Sequence, residues 1–302
     1  MTSQSILVTG ARGQLARSLS ETSSTRGSNT AKLVALGRPE LDITKPETLD
    51  AAFGAHDPDL VVNCAAYTGV DEAETEKYQA MAVNAEGAHS IAKLCARHAI
   101  PIIHISTDYV FDGTKSEPYC ETDQTNPIGV YGHSKLQGEE KVTATCSEHI
   151  ILRTAWLHSP FGHNFVKTML RLACERTNVS VVNDQIGCPT YAPHLAQAIL
   201  EIAHQILAEK GSEVPWGTYH AANSGETTWF GFAQEILRQS AERGGREAIV
   251  HPISTADYPT LVKRPANSRL DCSVLQNRFG ITLPDWRNGV ESCVKRLLSP
   301  LS

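Results

Sequence analysis

Along the first half of the chain, short apolar runs alternate with stretches whose apolar residues recur every three or four positions. Five runs read as strands: SILVTG (5–10), KLVALG (32–37), DLVVNCAA (59–66), IPIIHIS (100–106) and HIILRTAW (149–156). Helical spacing fills the intervals, from Gly13 to about Ser20, Pro46 to Phe53, Glu76 to His98 and Gly132 to Thr145. Runs rich in Val and Ile suit strands covered on both faces, and the helices between them supply the cover. The pattern predicts an α/β fold built on a doubly wound, Rossmann-like parallel sheet. The polar stretch ETSSTRGSNT (21–30) interrupts it and predicts a loop.

The second half is less regular. Helical spacing over 164–176 leads into a strand at 179–184, and a strongly amphipathic helix at 194–210 precedes a short strand at 217–223. A further helix is expected over 227–241. These segments predict a smaller lobe, made of about 157–193 and 224–302, with about 194–223 rejoining the main domain of 1–156.

Composition narrows the classes. The chain has 302 residues, 41% hydrophobic and 20% charged, which is ample for a sizeable core. The net charge of −6 carries no long run of one sign, so no nucleic-acid surface is expected. Eight cysteines contain no C-x-x-C pair and read as packed, reduced thiols of a cytoplasmic protein. The twelve histidines show no zinc spacing, and no metal is expected. No apolar run approaches the roughly 18 residues of a membrane span, so no membrane partner is expected. A strand-like run begins almost at once, which leaves no room for a signal peptide.

Chemistry enters at LVTGARGQLA, where a strand runs into a helix. Gly10 and Gly13 let backbone approach a diphosphate, Ala16 lets helix and strand pack closely, and the free amides of the helix start bind phosphate oxygens. This predicts a dinucleotide site. At the end of the second strand, where an acidic residue would hold a ribose, stand Gly37 and Arg38. Arg38 together with Arg12 in the glycine turn suits a ribose 2′-phosphate, which favours NADPH, with NADH as the other candidate. Asp42 and Ile43 follow as an adenine-side contact.

Tyr131 and Lys135 stand at i and i+4 on one helix face. A nearby ammonium is expected to lower a phenol's pKa and fit it for proton transfer to a carbonyl oxygen. Upstream, ISTDYVFDG (105–113) begins at a strand's carboxyl end, the edge where ligands bind, and offers Ser106 and Thr107 as hydroxyls for the same oxygen.

These motifs occur in order with NCAAYTGVDEAE (63–74), DQIGCPT (184–190) and RPANSRLD (264–271). Together they resemble the extended short-chain dehydrogenase/reductases and, more narrowly, the dTDP-4-dehydrorhamnose reductase family, over about 5–298. The resemblance implies Thr107 as catalytic hydroxyl, Tyr131 as proton donor and Lys135 as its partner. It implies Gly13, Gln14 and Leu15 in the cofactor turn, Asp42 and Ile43 on the adenine side, and Ala65, Ala66, Tyr67 and Thr68 in the cofactor loop. It places Asp108 beside the substrate and Trp156 against the sugar. The expected activity is NADPH-dependent reduction of a 4-keto nucleotide sugar, with Arg264 and Arg269 as candidates for its diphosphate. The other readings are an NADP-binding regulatory subunit, like that of methionine adenosyltransferase, and a related nucleotide-sugar reductase or epimerase. A homodimer stays open. Tyr67 departs from relatives that carry histidine there.

Overall fold

The computed structural model describes residues 4–25, 31–208 and 214–299. In the first half, strands and helices alternate: β1 (Ser5–Thr9), α1 (Gln14–Thr25), β2 (Lys32–Leu36), α2 (Pro46–His56), β3 (Leu60–Asn63), α3 (Lys77–Met81), a π-helical turn (Ala82–Gly87), α4 (Ala88–His98), β4 (Ile102–Thr107), α5 (Val130–Thr145) and β5 (His149–Thr154). The second half adds α6 (Phe165–Glu175), α7 (Ala192–Ala208), α8 (Trp229–Ala241), α9 (Ser273–Phe279) and α10 (Trp286–Leu298).

The strand Gly217–His220, β5, β4, β3, β1 and β2 lie side by side in that order as one parallel sheet. The order reverses between β1 and β3, and such a reversal opens a crevice at the carboxyl ends of the strands. One face is covered by α1 and α7 through Leu15, Leu19, Leu195 and Ile199. The other is covered by α2, α4 and α5 through Phe53, Ile91 and Val142. A separate core around Val166, Phe232, Ile236 and Trp286 builds the lobe of α6, α8 and α10. There the strand Asn178–Val182 pairs in parallel with Ile249–Ile253.

Helix α1 runs through Thr25, so residues 21–25, read as loop from their polarity, are helical; 26–30 lie outside the described residues. The hydroxyls explain the difference. Ser20, Ser24 and Thr25 donate to the carbonyls of Ala16, Glu21 and Thr22, so these side chains ride on the helix rather than compete with it. Glu21 is gripped by both terminal nitrogens of Arg296 on α10, at 2.7 and 2.8 Å. Among the described residues no helix is long and apolar enough to cross a membrane.

Candidate active site

A cleft of about 730 Å³ opens along the carboxyl edge of the sheet. At its base, Gly10 turns the chain out of β1 with φ +74°, and a Cβ there would lie 2.9 Å from the backbone of Ala65. Only glycine allows the ends of β1 and β3 to approach so closely in this conformation. The Gly13 amide donates to the Gly10 carbonyl at 2.8 Å, and α1 starts at the next residue. Gly13, Gln14 and Leu15 line the cleft. The Gln14 side chain turns to the lobe, where its Oε1 accepts from Ser159 Oγ (2.9 Å) and Asn164 Nδ2 (2.8 Å).

Beneath the crevice, Thr9 Oγ1 donates to Asn63 Oδ1 at 2.6 Å and Asn63 Nδ2 meets His104 Nδ1 at 3.0 Å. This network ends β3 at Asn63, three residues before the expected end. The loop beyond it carries Ala65, Ala66, Tyr67 and Thr68 along the cleft wall. Asn84, in the π-helical turn, clamps that loop. Its Oδ1 accepts from the Tyr67 amide (2.8 Å), and its Nδ2 donates to the Tyr67 carbonyl (3.0 Å) and to Ser134 Oγ (2.9 Å). Arg12, Arg38, Asp42 and Ile43 line the far end of the cleft.

Thr107 closes β4. Its Oγ1 donates to Asp108 Oδ1 at 3.0 Å and accepts from the Tyr109 amide at 3.2 Å. Tyr131 lies in the first turn of α5, whose start is held by a 2.7 Å bond from the Val130 amide to Glu74. Lys135, 2% exposed, donates to the Ile105 carbonyl at 2.6 Å. Burial takes its ammonium down to about 8, against the upward pull of Glu139. Glu139 in turn accepts from Arg153 Nε (3.0 Å) and Nη2 (2.7 Å).

The expected lowering of the Tyr131 pKa does not hold. Burial pushes the phenol up to about 12, and the Thr107 hydrogen bond draws it only partly back. The phenol therefore stays protonated near neutrality, the state that a proton donor needs. Ser106 Oγ, Thr154 Oγ1 and Asp108 Oδ2 are buried with no hydrogen-bond partner among the described residues, and all three residues line the cleft. Burial pushes the Asp108 carboxyl up to about 6, with Ser268 and Thr107 pulling the other way. A glycine-lined approach to the start of α1 and unpaired polar atoms at the sheet edge fit a dinucleotide with a polar substrate beside it.

Trp156, expected at the end of a strand, lies beyond it: β5 stops at Thr154 and Trp156 takes a left-handed φ of +47°. That conformation lays its indole over Gly187, where a Cβ would come within 2.5 Å of the ring. The ring stacks on Trp229 at 3.6 Å and 10°. Trp229 escaped the sequence reading because it fits the apolar spacing of α8.

A second cleft of about 710 Å³ lies in the lobe and is lined by Arg171, Arg176 and Arg264 among others. Arg264 pairs with Asp71 at 2.9 Å. Arg269 lies outside the linings of both clefts, bound to Glu226 at 3.1 Å and to the Ser116 carbonyl. Among the described residues no cluster of His, Cys, Asp and Glu is placed to hold a metal ion. All eight cysteines are free thiols.

Comparison with known proteins adds three likenesses. The family model described as the RmlD substrate binding domain matches residues 4–299. A dTDP-4-dehydrorhamnose reductase of Sinorhizobium fredii is 44% identical over 293 residues, 97% of each chain. The crystal structure of a dTDP-4-dehydrorhamnose reductase from Bacillus anthracis in complex with NADP superposes with a TM-score of 0.89 at 34% identity, covering 98% of this chain and 100% of that one.

Proposed function

The chain belongs to the RmlD family, the dTDP-4-dehydrorhamnose reductases, and we propose that it reduces the C4 ketone of dTDP-4-dehydro-L-rhamnose with NADPH to give dTDP-L-rhamnose. The observation that carries this reading is the grouping of Thr107, Tyr131 and Lys135 at the sheet edge, in one cleft with the glycine turn.

A bound reduced nicotinamide supplies the hydride. The protein's part is to hold, orient and protonate. As hydride reaches C4, the carbonyl π electrons move onto oxygen, and Tyr131 gives its phenolic proton to that oxyanion. A sugar alkoxide is a stronger base than a phenolate of pKa about 12, so the transfer runs downhill. Thr107 Oγ1, beside the phenol, can donate to the same oxygen by releasing Asp108. Lys135, anchored on Ile105 and one helical turn along α5 from Tyr131, lines the same cleft and offers its ammonium to the nicotinamide ribose. Fixing both reactants in one cleft supplies the proximity term.

Arg12 and Arg38 suit the 2′-phosphate of NADPH, and Gly10 to Leu15 suit its diphosphate. In the second cleft, Arg264 suits the substrate diphosphate, while Trp156, whose ring is held between Trp229 and Gly187, braces the wall of the first beside the sugar. An intact donor, partner and hydroxyl favour turnover over a purely regulatory, cofactor-binding role.

The test follows NADPH absorbance with enzymatically made dTDP-4-dehydro-L-rhamnose, with NADH in parallel. Oxidation of NADPH with dTDP-L-rhamnose as product is expected. Tight NADPH binding without oxidation would move the account to a binding subunit or to another nucleotide sugar. Isomerised sugar without net oxidation would point to an epimerase.

A further inference from the structure

Among the described residues the two clefts have one lining residue in common, Trp229. It is the first residue of α8, just after Thr228, whose Oγ1 accepts from the Gly231 amide at 3.1 Å and donates to Asn183 at 2.8 Å. This cap fixes the helix start, and the indole stands half-buried between the cavities. Its ring stacks on Trp156 at 3.6 Å and packs on Phe165 at 4.7 Å. Trp156 has no room to yield, since its indole rests on the backbone at Gly187.

A nucleoside-diphosphate sugar that keeps its diphosphate near Arg264 and its ketone near Tyr131 is one covalent molecule lying in both clefts. It has to pass Trp229. Rings 3.6 Å apart leave no space for a pyranose between them, so the sugar crosses along the part of the Trp229 indole that lines the clefts. The C–H face of a sugar and the methyl group of a 6-deoxyhexose are apolar surfaces that an indole face or edge accepts.

Resting on the nucleotide-sugar reading above, we infer that Trp229 is a specificity-determining residue, the wall against which the hexose of the nucleotide sugar lies as it reaches from the lobe cleft to Tyr131. The prediction separates ligands by which cleft they fill. NADPH fills only the first, dTDP only the second, and dTDP-L-rhamnose spans both.

Calorimetric titration of all three ligands into wild type, Trp229→Leu and Trp229→Phe tests this. Trp229→Leu keeps an apolar side chain and loses the ring. It is expected to weaken dTDP-L-rhamnose about tenfold, roughly what one aromatic contact and its buried area supply. Binding of dTDP and of NADPH should hold within about threefold, and Trp229→Phe should recover most of the loss. Equal weakening of dTDP and dTDP-L-rhamnose, weakening of NADPH, or no weakening at all would overturn the inference. A measurement without substitution backs this up. The stacked indoles give wild type a near-ultraviolet dichroism that dTDP-L-rhamnose should change more than dTDP does, and an equal or absent response counts against the inference. Wild type binding neither dTDP nor its rhamnose conjugate would instead sink the nucleotide-sugar reading itself.

Discussion

Replacing Lys135 by Met removes a cation that the fold holds against its solvation. The side chain is 2% exposed, and burial lowers its pKa from 10.5 to about 8 even with Glu139 pulling upward. A folded-state value below the unfolded one means that the unfolded chain holds the proton more tightly. The charged lysine therefore destabilises the fold at every pH below about 8, and the penalty fades as pH rises toward 10.5 and the unfolded chain loses its proton too. The gap between 10.5 and about 8 corresponds to about 3 kcal/mol. Near pH 7 almost all of it is present, and near pH 10 about 1 kcal/mol remains.

Methionine fills the space without the charge, and the lost bond to Ile105 adds an offset that changes little with pH. Urea unfolding of both proteins across that range is the assay. Wild type is expected to gain about 2 kcal/mol on Lys135→Met between about pH 7 and about pH 10. A difference between the two that stays flat with pH would mean instead that burial does not disfavour the ammonium. The variant should also lose turnover, which explains why a destabilising lysine is kept.

Other substitutions probe the rest of the cleft. Arg38→Ala should weaken NADPH about tenfold or more by fluorescence titration, while NADH changes little, since one charge-assisted contact is lost. Asn84→Ala frees the Tyr67 loop and should cost about 1–3 kcal/mol in urea unfolding, with a weaker affinity for NADPH. Glu139→Gln leaves Arg153 buried without its anion, at a cost of about 3–5 kcal/mol. It also removes the upward pull on Lys135, so the basic limb of the kcat profile should move to lower pH.

The alternation of Val- and Ile-rich runs with helical spacing was enough to read the doubly wound sheet, because burial on both faces leaves a pattern in the strands themselves. The glycine turn was legible for the same local reason, since Gly10 must take a positive φ beside Ala65. What stayed hidden depends on residues far apart in the chain. The early end of β3 comes from a network joining Thr9, Asn63 and His104. The left-handed Trp156 needs Gly187 beneath it, and its partner Trp229 lies 73 positions further on. Residues 21–25 looked like a loop because Ser and Thr disfavour helix interiors, yet the hydroxyls of Ser24 and Thr25 bond back to carbonyls three residues earlier. The direction of the Tyr131 shift was misread because spacing gives a neighbour's charge and not the depth of burial.

Turnover by Tyr131→Phe, set against its cofactor binding, decides whether this phenol is the proton donor. Phenylalanine keeps the ring against Tyr109 and removes only the proton that reduction needs. The variant should keep an NADPH affinity within about twofold of wild type, with NADPH oxidation by dTDP-4-dehydro-L-rhamnose slowed by about a hundredfold or more. Near-normal oxidation by this variant would contradict that role.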